Sequence, residues 1–460
     1  MNIRTLSNSH IFTCLSVIYM FSIILSHFPT SSNRQKRSNL TVFTVESYGI
    51  HVPSKTIVRY NTDMMKLPDY VCKAMDALNQ AGYECYVVGG AVRSAVLHAP
   101  VHDYDLTTSA LPEQMKQVFA TWHTFDTGIR HGTLTVLSDH HPLEITTYRK
   151  EAGYQDHRHP DQVVFTSALM EDCARRDFTI NALCYHPKEG MKDFYGGLTD
   201  IKNRIIRCIG DPYRRFDEDA LRILRAIRFA AQLQFEMEEK TSQAILALKD
   251  TLHYVSAERI SEEFTKYLSS DGCAMLLYPY RSVFAVFLPE MSQLSKQDMQ
   301  SLITRLQFSK NDRLIRMALL LSAPCFTDPH RILNRLKFSN HDRRTVLSMI
   351  ALKDAPMQTR TDVRFILRDI QMDFLQYLQY REGMDLCRYV QVYDLYEQII
   401  RNHDCTALRD LAVNGGDLVL RGYQGKQISE TLNDLLKKVI EDVLPNDRKA
   451  LLDYLSSSTS

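Results

Sequence analysis

Net charge is almost absent from this 460-residue sequence: 55 lysines and arginines stand against 54 aspartates and glutamates, a formal +1. Bulk charge therefore argues neither for nor against nucleic acid, since local patches bind RNA in neutral proteins. Paired cysteines are also missing. The ten cysteines are scattered singly, with no CxxC and no His/Cys ligand spacing, which argues against zinc and for a reducing cytosol. No internal repeat of fixed period and no low-complexity run stands out. The chain is too long for one ordinary core, so two to four domains are expected.

The one long apolar run is residues 11–28 (IFTCLSVIYMFSIILSHF), followed by the basic NRQKRSN at 33–39. It suits a signal anchor or a short membrane helix. The plainer reading is a translation start placed too early, because Met64 and Met65 stand just before the first convincing domain and residues 30–63 read as a polar linker.

From residue 67 a helical pattern runs through YVCKAMDALNQAG and closes at Gly82. YECYVVGG then reads as a strand into a glycine turn, AVRSAVLH as a helix start, and HDYDLTT as a strand. EQMKQVFA predicts a helix, and HGTLTVLSD and PLEITTYR predict strands, so an α/β region ends near residue 190. Beyond about 200 strand signals nearly vanish, and apolar residues at i, i+3 and i+4 predict a helical remainder.

In VHDYDLTT (101–108), Asp103 and Asp105 would share one face of the expected strand. Two such carboxylates repel unless a divalent metal, an arginine or solvent lies between them. In YVVGGAVRS (86–94), paired glycines between strand and helix let backbone N–H groups approach a phosphate, although a tight turn without ligand is the plainer reading. Arg93 gains nothing from the dipole of a first helical turn and so hints at an anion. Phosphoryl transfer needs this combination: magnesium takes one or two carboxylates plus phosphate oxygens, and two metals can activate a hydroxyl and stabilise leaving pyrophosphate. Glu144, in LEITTYR, is a candidate third acid from a neighbouring strand, with a solvated strand-face glutamate as the alternative.

ARRDFTINAL (174–183) places Arg175, Arg176, Asp177 and Asn181 before an expected helix. Arginine forks suit triphosphate and ribose, a plain surface pair being the alternative. RRFDEDALRILRAIRFAAQL (214–233) reads as one helix, with Leu221, Leu224 and Ile227 on one face and Asp219, Arg222, Arg225 and Arg228 on another. Such a row is ordinarily a solvated face. An aspartate beside an arginine can, however, read a base edge, the carboxylate accepting from the exocyclic amine of cytosine or adenine. Uracil or guanine would leave it unpaired, at roughly 1–3 kcal/mol.

Together and in this order, VVGGAVR–x9–DYD, RRDFTINA and RRFDEDALRILRAIRFAAQL resemble the class II tRNA nucleotidyltransferases, the CCA-adding enzymes, and their relatives the bacterial poly(A) polymerases. The likeness is strong over 67–270, including SAERISEEFTKYL (256–268), and weak over 410–440. It implies an α+β fold: a polymerase-β-like nucleotidyltransferase head (64–190) after an N-terminal extension (1–63), then an all-helical neck (191–270), body (271–390) and tRNA-binding tail (391–460). By resemblance, Asp103 and Asp105 would bind Mg²⁺, Gly90 and Arg93 would hold phosphates, and Arg176 would contact the nucleotide. Asp219 and Arg222 would read the base, with Arg225 and Arg228 completing the pocket. Residues 147–165 resemble the flexible loop needed for the switch from CTP to ATP. Two departures stand out: Ser94 follows Arg93 where the family has an aspartate, and no HxxH-type phosphohydrolase motif is present, His341-Asp342 and His403-Asp404 reading as turn residues.

The expected activity is template-independent addition of C, C and A to the 3′ end of tRNA from CTP and ATP, releasing pyrophosphate, with Asp103, Asp105 and Glu144 as catalytic acids. A poly(A) polymerase or a non-catalytic tRNA-binding relative is the alternative. The mixed charge of residues 440–460 favours the tRNA reading. An exported enzyme would meet little nucleotide, so a cytoplasmic protein without a membrane partner is expected, while oligomeric state is not legible.

Overall fold

Strand Cys85–Val88 (β1) buries all four side chains, as a central strand covered on both faces must. The computed structural model describes residues 65–152, 162–370 and 372–457. Helix Asp69–Gln80 (α1) precedes β1 and turns Val71, Ala74, Met75 and Leu78 inward at i, i+3, i+4 and i+7. It stops two residues before Gly82, whose φ of +88° suits glycine.

After β1 come helix Gly90–Val96 (α2), strand Asp105–Thr108 (β2), helix Pro112–Val118 (α3) and strands His123–Phe125 (β3), Thr133–Ser138 (β4) and His141–Thr147 (β5). The hairpin Arg149–Ala152 (β6) and Gln162–Phe165 (β7), helix Leu169–Ala174 (α4), and strands Cys184–His186 (β8) and Gly190–Lys192 (β9) complete this part. The seven-stranded sheet has the order β3-β4-β5-β2-β1-β8-β9, with β2 and β5 parallel.

Alternation along these strands separates two faces. Cys85, Val87, Leu106, Leu134, Val136, Leu143 and Ile145 enter a core that continues through the helical part to Ile399. Tyr86, Val88, Tyr148 and Cys184 enter a small satellite core on the opposite face. A third cluster holds residues 405–455. Beyond the sheet the described residues are mainly helical. Ile205–Ile206 pairs in parallel with Glu236–Met237, a two-residue ladder that periodicity did not reveal.

The apolar run at 11–28 lies outside the described residues, as do 153–161 of the expected 147–165 loop, whose flanks pair instead as strands β6 and β7. Among the described residues no helix is long and apolar enough to cross a membrane.

Candidate functional site

The face of the sheet opposite the main core is polar along β2, β4 and β5. Asp105 and Thr107 alternate with Leu106, Glu144 and Thr146 with Ile145, and Thr133 and Thr135 with Leu134. Register sets Asp105 directly opposite Glu144 and Thr107 opposite Thr146. Across β4 the hydroxyls of Thr133 and Thr146 meet at 2.9 Å.

Asp105 and Glu144 line a cleft of about 220 Å³ together with Arg149, Arg175 and Arg176. Burial first, then the neighbouring Glu144 and Asp103 carboxylates, push the Asp105 carboxyl above its usual range, while Arg176 pulls it down. Asp103 lies outside the strand: β2 begins at Asp105, and Asp103 is an exposed residue of the lead-in. Of the two acids expected on one strand, only Asp105 lies within it; Glu144 stands opposite Asp105 on β5, and Asp103 is near enough for its charge to act on Asp105. Among the described residues no three acid, His or Cys side chains form a ready-made metal cage. An oxygen-only pair instead fits a hard cation that completes its shell with water and phosphate.

Behind the arginines sits Asp172, fully buried in α4. It accepts from Arg175 Nε at 2.9 Å, Arg176 Nη2 at 3.3 Å, the Arg149 backbone N–H at 3.3 Å and the Thr107 hydroxyl at 3.2 Å. One carboxylate therefore orients arginines that line the cleft. Sequence reasoning missed it, although an acid three and four residues before Arg175 and Arg176 is a helical pairing signal.

The stretch after Arg176 forms a short 3₁₀ turn, Thr179–Asn181, and then β8, where a helix was expected. Asn181 accepts from Arg93 and donates to Asp177 Oδ1 at 2.9 Å. Asp177 Oδ2 accepts both Nε (2.9 Å) and Nη2 (2.6 Å) of Arg225. Burial alone would raise the Asp177 carboxyl, but Arg225 and Asn181 hold it down at about 2.

The 214–233 helix is in fact two, Pro212–Glu218 and Leu221–Leu233. Asp219 sits at the break in extended backbone (φ −141°, ψ 102°), its Oδ1 accepting from the Leu221 N–H at 3.1 Å and its Oδ2 3.5 Å from Arg259. Asp219 therefore does not continue the arginine face. The arginines are not solvated either. Arg222 and Arg228 are buried, and Arg225 is partly so. Arg222 donates to Glu218 at 3.2 Å and to the Arg215 carbonyl at 3.0 Å, and Arg228 donates to buried Glu263.

Phe229 gathers three guanidinium groups, with Arg228 3.9 Å, Arg93 4.9 Å and Arg225 5.5 Å from its ring centroid. Burial pulls Arg93 down to about 10. The glycine turn joins the two clusters. Gly89 has φ +70°; a Cβ there would come within 3.4 Å of Arg176 Nη1, and one on Gly90 within 3.8 Å of Arg93 Nη2. The Nε atoms of both Arg93 and Arg176 are buried and make no hydrogen bond. His341-Asp342 opens a helix, Asn340–Ala351, so it is no turn, and Asp342 accepts from Arg313.

A family profile described as "Poly A polymerase head domain" matches residues 85–207, "Probable RNA and SrmB- binding site of polymerase A" matches 234–294, and "tRNA nucleotidyltransferase domain 2 putative" matches 291–455. The CCA-adding enzyme of Lactobacillus helveticus is 37% identical over 413 residues, covering 85% of this chain and 98% of that protein. The Leuconostoc citreum CCA-adding enzyme is 34% identical, covering 83% and 94%. Among solved structures, the Bacillus stearothermophilus CCA-adding enzyme in complex with CTP superposes with a TM-score of 0.74 at 28% identity, covering 86% of this chain and 98% of that one.

Proposed function

The chain belongs to the CCA-adding enzyme family, and from that premise we propose how its own residues add C, C and A to the 3′ end of tRNA from CTP and ATP. The observation that carries the reading is the pairing of Asp105 with Glu144 across β2 and β5, in one cleft with Arg176. Two carboxylates so placed, with the basicity of one raised, suit a cation between them better than solvent. Asp105 and Glu144, with Asp103 at the lead-in, are the proposed oxygen donors for Mg²⁺. When bound, the ion neutralises charge on the triphosphate and the departing pyrophosphate.

Arg176, oriented by Asp172, and Arg93, set beside Gly90, hold phosphate oxygens; their buried, unbonded Nε atoms support that role. Asp219 and Arg222 read the base edge, with Arg225 and Arg228 shaping the pocket. In this role Arg222 exchanges Glu218 for an acceptor on the base, so selection of C and A needs no nucleic acid template. The tRNA is held mainly through its backbone and shape along the helical part, and the compartment is the cytoplasm, where both nucleotides and tRNA occur.

The test supplies the full chain with Mg²⁺, a tRNA transcript lacking its CCA end, and CTP, ATP or both, with products sized to single nucleotides. Two residues added with CTP alone, then one more with ATP and a halt, are expected. Long adenylate ladders without CTP would overturn the reading in favour of poly(A) synthesis.

A further inference from the structure

Read singly along the chain, the cysteines carry no redox chemistry, but folding brings two of them together. Cys173, next to last in α4, and Cys184, first in β8, place their sulfurs 3.3 Å apart, and both are wholly buried. Their positions bracket residues 174–183, the segment carrying Arg175, Arg176, Asp177 and Asn181. Cys173 also directly follows Asp172, the carboxylate that orients Arg175 and Arg176.

We propose that Cys173 and Cys184 form a reversible disulfide under peroxide, and that closing it displaces the Asp172–Arg176 pair and weakens nucleotide binding. This rests on the reading of Arg176 as a nucleotide contact. The chemistry balances. One thiolate attacks a peroxide oxygen and becomes a sulfenic acid, and the second thiol attacks that sulfur, forming the S–S bond and releasing water. In sum two thiols and hydrogen peroxide yield a disulfide and two waters, the cysteines losing two electrons and the peroxide gaining them. The hydrogen bond from Cys184, with Arg176 acting against burial, holds the Cys173 thiol below its ordinary value, which makes Cys173 the attacking sulfur.

A disulfide spans ~2.05 Å, so the sulfurs must approach each other and move the chain that bears them. Both sit in the small satellite core with Val88, Tyr148 and Ala182 rather than in the main core. A cluster of that size opens locally at lower free energy than the whole fold, which admits a small oxidant.

The full chain is treated with hydrogen peroxide, quenched, digested without reductant and searched by mass for a peptide joining Cys173 to Cys184. In parallel, the KM for CTP is measured before oxidation, after it, and after dithiothreitol. The expected result is the linked peptide, a KM raised on the order of tenfold, and recovery on reduction. Cys173→Ser and Cys184→Ala should each keep basal activity and escape the oxidative effect; two variants guard against one that misfolds. Absence of the linked peptide, or its presence with unchanged KM, overturns the proposal. Should the reduced chain fail to extend tRNA at all, the nucleotide reading fails instead, and the peptide still reports whether the disulfide forms.

Discussion

The cleft on the sheet and the arginine cluster around Phe229 meet at the Gly89–Gly90 turn, yet they treat charge in opposite ways. In the cleft, Asp105 faces Glu144 in register, and its carboxyl is raised first by burial and then by that neighbouring charge. Around Phe229 each cation has a partner: Arg225 has Asp177, Arg228 has Glu263, and Arg93 has Asn181. Paired charges hold a structure together, whereas like charges held side by side mark a place where something charged is meant to bind.

Substitutions should split along that line. Asp105→Asn is expected to lower nucleotide addition on the order of 10³-fold while leaving the melting temperature unchanged or raised, because a repulsion is relieved; single-nucleotide extension and thermal melting of the same sample decide it. A parallel fall in melting temperature would dissolve the contrast. Glu263→Ala has the reverse signature, since it strips the carboxylate from buried Arg228. Urea unfolding should show a loss of about 3 kcal/mol.

The pH dependence separates the same two regions, with opposite signs. Asp177 is held at about 2, below its ordinary 3.8. It therefore contributes stability that is fully present above 3.8 and is lost as pH falls through about 2, roughly 2 kcal/mol in all. In Asp177→Asn this part of the acid slope should vanish from unfolding curves. Asp105, raised in the folded state, contributes no such stability at neutral pH. Its ionised form instead costs the metal-free fold, and Asp105→Asn should remove that cost from unfolding curves recorded at neutral pH without Mg²⁺. As the smallest effect, Arg401→Ala removes an exposed pair with Glu397 at 4.0 Å and should leave the melting temperature unmoved.

Much of the head was legible because strands and helices announce themselves by period. The helix from 69 to 80, the strand into the glycine turn, and a strand carrying Glu144 all follow from local periodicity. The break at Asp219 was missed because LRILRAIRF is so strongly helical that it drew the preceding residues into one helix. An aspartate just before an apolar run is, even so, a helix-start signal, and here its side chain does accept from the Leu221 N–H.

By itself, the sequence determined the order of the elements, the alternation that makes one sheet face polar, and the kinds of side chain available for phosphate and metal, because these depend on residues near one another in the chain. Only the tertiary structure decided that Glu144 stands opposite Asp105 in register, that Asp172 orients the cleft arginines, that Glu263 neutralises Arg228 from 35 residues away, and that Cys173 meets Cys184. Each of these depends on strand register or helix packing, where a shift of one residue turns a side chain to the opposite face and no local pattern records the choice.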